Sequence, residues 1–267
     1  VDLMYESYNS TDATQNIISS ITDNCLEIPR STLINWSNEA KENLIPEIEN
    51  IENEILNSYY AHFDESQIKV DGEAFNEVCA STVKHTRMWT MKSKKHEDLE
   101  KIKFFKSFTG VIIKDGTDLY NGFGIAFSQC ISHIQRYLKG LYDFINHKGP
   151  KLMAEFLTKY NNYRKELIEK GKDKFEEEEY NKIISEYEEI IRIWKKEWMS
   201  DKNNPQYDDE RKLLSRMEEA DKEQILYFLK DFKVPSTNNQ AETDQRNIKI
   251  KQKIGKFRSD GGAEIYA

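Results

Sequence analysis

Nothing in this chain is apolar for long. No run among its 267 residues approaches the ~20 apolar residues that cross a bilayer, and its start lacks a signal-peptide pattern, so no membrane partner is expected. Cysteine is scarce and odd in number. Cys25, Cys79 and Cys130 lie far apart and make no disulfide framework, which points to a reducing, cytoplasmic setting. The first residue is Val1 rather than Met, and the chain reads as a fragment of something longer.

With 38% hydrophobic and 32% charged residues, the composition is that of a soluble, globular, helix-rich protein of one large domain or two small ones. The net charge of -8 argues at first sight against a nucleic-acid partner. Its distribution removes that objection. Residues 165–231 hold 20 Asp and Glu against 14 Lys and Arg, a net of -6, whereas Arg246 to Arg258 holds six basic residues and no acid.

Periodicity divides the chain into three stretches. Residues 1–64 read as helical: "STLINW" resembles a helix start, and Ile48, Ile51, Ile55, Leu56 and Tyr59 recur at helical spacing. From residue 67 the pattern becomes strand-like in "QIKVDGEAF", "VCASTVKH" and "RMWTMKS". "HEDLEKIKFFKSF" reads as one amphipathic helix, then "GVIIKDG" and "IAFSQC" as strands. This order implies a mixed α/β sheet. From about 131 to 232 the chain reads as helical throughout, with breaks at Gly149-Pro150 and "DKNNPQYDD", and a last helix begins after Pro235 with Thr237 or Asn238 as its cap. Glu176 to Glu179 reads as a solvated helix face, and Trp89, Trp194 and Trp198 as core.

Two expected strands end on an acid followed by glycine, Asp71-Gly72 and Asp115-Gly116, and Glu242 opens the last helix. Strand ends are where α/β proteins place ligands, and oxygen donors of this kind hold hard cations. Two carboxylates about 4 Å apart repel by roughly 4 kcal/mol at an effective dielectric near 20, so three converge only if cations or protons offset the repulsion. Asp-Gly is equally ordinary turn chemistry, and spacing leaves both readings open. Cys130-x-x-His133 is half a zinc site with no second pair; packing beside the site, DNA contact by His133 or Arg136, and zinc all stay open. Glu242 and Arg246 share a helix face, either as a salt bridge or with Arg246 turned to phosphate, and Lys249 and Lys253 extend that face. Asn238 and Asn239 read as caps or ligands.

The stretches "VDGEAF", "KDG" then "LY", "CISHIQRYL" and "PSTNNQAETDQRNIKIKQKIGKFRSDGGA" resemble transposases of the insertion sequence 66 family, bacterial DDE transposases with a ribonuclease-H-like core. The resemblance covers roughly residues 25–267. It is most specific in the last stretch: Asn-Asn, an Ala-Glu pair, an Arg four residues on, a Lys-rich helix, then Phe-Arg-Ser. It implies a ribonuclease-H-like mixed sheet flanked by helices, with a helical N-terminal segment (1–64), a catalytic core (65–139 and 233–267) and an acidic helical insertion (140–232). It assigns Asp71, Asp115 and Glu242 as catalytic and metal-binding acids for two Mg2+ or Mn2+ ions. Arg246, Lys249, Lys253, Arg258, His133, Arg136 and Asn239 would contact DNA. The implied partners are transposon ends and target DNA, with a homodimer in the synaptic complex, in a bacterial, nucleoid-associated setting. Family members read Asp-Glu-Thr at the first acid, where this chain has Asp71-Gly72-Glu73. The family's N-terminal DNA-binding region and C-terminal tail are not evident, which implies a catalytic core cut from a longer protein.

Overall fold

The structure, a computed structural model, describes residues 30–254. Cys25 and Arg258 lie outside the described residues. The fold is mixed α/β, a five-stranded mixed sheet flanked by helices, which fits the expected ribonuclease-H-like class. The chain divides into two compact units, which in described residues are 30–110, 119–124 and 239–254 for the first, and 111–118 and 125–238 for the second.

The first unit holds α1 (Arg30–Leu56), β1 (Tyr60–Val70), β2 (Glu73–Ser81), β3 (Thr86–Met91), α2 (His96–Leu99), α3 (Lys103–Ser107) and, far along the chain, a C-terminal helix at Asn239–Ile254. The three strands are antiparallel, with Asp64 opposite Cys79, Val70 opposite Glu73, and Val78 opposite Trp89. Successive strand residues face opposite sides, so β1 has two distinct faces. Its odd-numbered face carries Phe63, whose ring lies 5.3 Å from those of both Phe108 and Tyr120; on the same side Trp89 lies 4.7 Å from Phe104. Its even-numbered face carries Ser66, Ile68 and Val70 against the Asn239–Ile254 helix.

Covering both faces explains a difference from the sequence reading. Residues Tyr60 to Asp64 are strand, not helix. A strand buried on both sides loses its apolar-polar alternation, and "YAHFD" therefore carries no period-2 signal. A second difference lies in "HEDLEKIKFFKSF", which forms two short helices rather than one. Ile102 takes an extended conformation between them, and Phe104 and Phe105 are thereby buried.

The second unit holds β4 (Val111–Lys114), β5 (Ala126–Gln129), α4 (Ile131–Tyr142), α5 (Gly149–Glu169), α6 (Glu177–Ser200), α7 (Tyr207–Ser215), a π-helical turn (Arg216–Ala220), and the short α8 (Lys222–Ile225) and α9 (Tyr227–Lys230). With these placed, the Asn239–Ile254 helix of the first unit is α10. Strands β4 and β5 are parallel, Lys114 opposite Gln129. Residues 140–232 are helices and turns without a strand. Leu138, Met153, Phe156, Tyr187 and Trp194 are among the side chains that form the helical core, each contributing about 2–3 kcal/mol of burial. Glu176 to Glu179 lies at the start of α6, where acids suit the helix dipole; Glu178 pairs with Lys182 and Glu179 accepts from Tyr163. Trp89 and Trp194 are buried as expected, and Trp198 is partly buried on the same core.

The start of α5 shows how tightly these helices meet. Glu197 accepts hydrogen bonds from the Lys148 and Gly149 amides at 3.1 and 2.8 Å, capping the helix with a carboxylate. A Cβ on Gly149 would overlap the Cα and Cβ of Trp194, so only glycine lets α5 and α6 approach. Around Gly140 in α4, by contrast, an added Cβ meets nothing within 4 Å. Gly149→Ala should therefore destabilise the protein by at least about 2 kcal/mol. Gly140→Ala should raise stability by about 0.5–1 kcal/mol through helix propensity alone. Urea unfolding measures both, and similar effects from the two substitutions would contradict this packing.

Candidate metal and nucleic-acid site

In the second unit, chain geometry alone brings three ligand-bearing residues together. Because β4 and β5 are parallel and in register, Asp115 and Cys130 follow their paired ends directly. The Cys130 amide donates to the Lys114 carbonyl at 2.9 Å, and α4 begins at the next residue. His133, one turn into α4, then brings Nδ1 to 2.9 Å from Asp115 Oδ1. Asp115, Cys130 and His133 can each offer a ligand atom, all within 4.8 Å of one another. Cys130 is buried, its Sγ accepts from the Asn238 amide at 3.2 Å, and burial pushes its thiol above the ordinary value. A thiol kept protonated is a packing group rather than a ligand for a hard cation.

In the first unit, α10 is docked by polar contacts centred on Gln245. Gln245 accepts from Ser66 Oγ and donates to the Glu77 carbonyl and to Cys79 Sγ, both at 3.4 Å. Cys79 Sγ in turn faces the Ala241 carbonyl at 3.9 Å, and Thr86 Oγ1 donates to Asp244 at 2.7 Å. Ala241, Gln245 and Ile248 form the buried face of α10. Ile248 packs on Ile68, Val70 and Phe75. The helix therefore runs along β1 with Glu242 at the Cys79 end, where Asp64 is the register partner of Cys79.

Asp71 is elsewhere. It is the exposed turn residue after Val70, with a φ of 48°, at the far end of β1 from the level of Glu242. Seven residues of strand separate it from Asp64, about 23 Å at ~3.3 Å per residue. Asp64 is a strand carboxylate opposite Cys79, and the sequence reading does not single it out. The signal was present: Asp64-Glu65-Ser66 differs from the Asp-Glu-Thr pattern only by one hydroxyl residue for another. Glu65, on the opposite face of β1, is held by Tyr120 Oη at 2.9 Å and Lys94 Nζ at 2.5 Å.

Arg246, Lys249 and Lys253 are exposed on α10. Arg246 makes no ion pair among the described residues, so the salt-bridge reading of Glu242 and Arg246 is not realised. Asn239 is the exposed first residue of α10, and Asn238, just before it, is buried. Arg136 is exposed on α4, one turn beyond His133. No helix among the described residues is long and apolar enough to cross a membrane.

A family model described as Transposase IS66 family matches residues 2–265, nearly the whole chain, and the chain belongs to that family. No curated protein matches it.

Burial, and after it the charge of Asp64, push the Cys79 thiol from 9.0 up to about 12. Above pH 9 the unfolded chain loses this proton while the folded chain keeps it, so the unfolded state binds fewer protons and stability falls as pH rises. The slope from one such group is at most about 1.4 kcal/mol per pH unit. Cys79→Ala should remove that part of the decline, read by urea unfolding between about pH 8 and pH 10. An unchanged slope would contradict the placement of Cys79.

Proposed function

We propose that this member of the Transposase IS66 family is a transposase catalytic core that cleaves the ends of a mobile DNA element and joins the freed 3'-hydroxyl to target DNA, using two divalent cations, magnesium or manganese. The observation that carries the reading is the strand-end carboxylate Asp115, whose Oδ1 lies 2.9 Å from His133 Nδ1. A carboxylate at the end of a strand is an oxygen donor suited to a hard cation.

Asp115 and Glu242 are two of the proposed ligands. For the first acid we favour Asp64 over Asp71, because it stands on a rigid strand at the level of Glu242 rather than in an exposed turn. Together these carboxylates would hold the ions, which would supply charge stabilisation to the attacking and leaving oxygens of a phosphodiester. The protein's own part is placement. The carboxylates fix where charge is cancelled, His133 stands beside Asp115, and no covalent enzyme intermediate is required. On α10, Arg246, Lys249 and Lys253 face solvent, and with Arg258 they form a basic run that suits a phosphate backbone. Asn239, His133 and Arg136 are proposed as further contacts to DNA.

The two halves of this reading separate experimentally. Neutralising Lys249, Lys253 and Arg258 should weaken DNA binding and lower its salt dependence by about 0.9 units of slope for each phosphate no longer neutralised, while divalent-cation binding survives. Glu242→Gln should abolish cleavage with DNA affinity unchanged or higher. A salt slope unmoved in the triple variant would show the basic run to be only a solvated helix face. DNA binding by the native protein with no cleavage in Mg2+ or Mn2+ would instead indicate a non-catalytic DNA-binding or assembly module.

A further inference from the structure

We infer that Arg216, in the π-helical turn of the helical block, is a positioning residue for Asp115, acting through the turn that follows it; this rests on Asp115 being a metal ligand. The guanidinium lies directly on Gly116. A Cβ added there would meet Arg216 Nη2 at 2.5 Å and its Cζ and Nη1 at 3.3 Å. Ordinarily the end of a long side chain yields to such a methyl. This one is pinned at two points: Nε donates to Asp221 Oδ2 at 2.7 Å, and Nη2 donates to Gln129 Oε1 at 3.1 Å.

Gln129 is itself part of the strand end that builds the site. It is buried, it is the register partner of Lys114, and its Nε2 reaches Gln224 Oε1 at 3.4 Å. The same turn is also held by Lys114, whose buried Nζ donates to the Thr117 carbonyl at 2.7 Å and sits 4.5 Å from the centre of the Phe127 ring. Residues 115–117 are therefore held by both Lys114 and Arg216. A π-turn adds a residue to one turn of helix, and such turns recur at functional sites; here it is the segment that delivers Arg216. The rigid fork of arginine suits this task, because it engages a carboxylate and an amide at once while its face covers backbone.

The test approaches the contact from both partners in the full chain. Arg216→Met removes the clamp, and Gly116→Ala pushes it away without touching Arg216. Amide hydrogen exchange and Mn2+ titration are the two readouts. Both variants should speed exchange at residues 115–118 by about tenfold, with exchange across α5 and α6 unchanged. Both should also weaken Mn2+ binding by about tenfold, the lower end of what removing an orienting partner costs. The double variant should be no worse than either single one, since each breaks the same contact. Arg216→Lys keeps the charge but cannot hold Asp221 and Gln129 together, and it should behave like Arg216→Met. Unchanged exchange at 115–118, additive effects, or full recovery by lysine would overturn the inference. Absence of Mn2+ binding in the native protein would overturn the proposed function, while the exchange measurement would still decide the clamp.

Discussion

Strand β1 is covered on both faces, and the placement of the first unit's acids follows from that. Phe63 on one face anchors the aromatic group of Phe105, Phe108 and Tyr120, which keeps the strand from rotating. The other face is then committed to α10, and Gln245 sets the level at which that helix docks by bonding Ser66, Glu77 and Cys79 together. A one-residue slip of β1 would exchange the two faces and turn Asp64 towards the aromatic side. Gln245 is nearly inaccessible and fully used, so the docking level is as firmly specified as a hydrophobic contact would make it, and more uniquely.

The second unit reaches a similar result by different means. Parallel pairing of two four-residue strands puts Asp115 and Cys130 side by side, and the immediate start of α4 returns His133 to Asp115. These strands are too short to be rigid alone. The long helical block supplies the support, through Arg216 and Gln224 at the strand ends and through Arg164, which holds the Phe232 and Val234 carbonyls at 2.7 and 2.8 Å as the chain leaves the block. The block's acidity is spent largely on its own helix starts and ion pairs, as at Glu177 to Glu179 and between Lys195 and Glu218.

Much of this was legible in the sequence where local pattern and environment agree. The amphipathic stripes of α4 and α6, the apolar "VIIK" of β4, and the helix around Glu242 all follow from periodicity. Tyr60 to Asp64 did not, because burial on both faces removes alternation, and that loss hid Asp64. Asp71 stood out instead because Asp-Gly after an apolar run signals a strand end, which is what it marks: the hairpin turn of β1 and β2, where a left-handed Asp and a glycine are needed. Arg216 could not have been found by spacing. Its role comes from a contact with Gly116 a hundred residues earlier in the chain, and no local signal records it.

The identity of the first acid is the most direct test of the account, since Asp64 and Asp71 share one strand and differ only in where its packing leaves them. Electron paramagnetic titration with Mn2+ should show two ions on the native protein, the second absent or at least tenfold weaker in Asp64→Asn, and native behaviour in Asp71→Asn. Loss of Mn2+ from the Asp71→Asn protein, with Asp64→Asn unaffected, would contradict it.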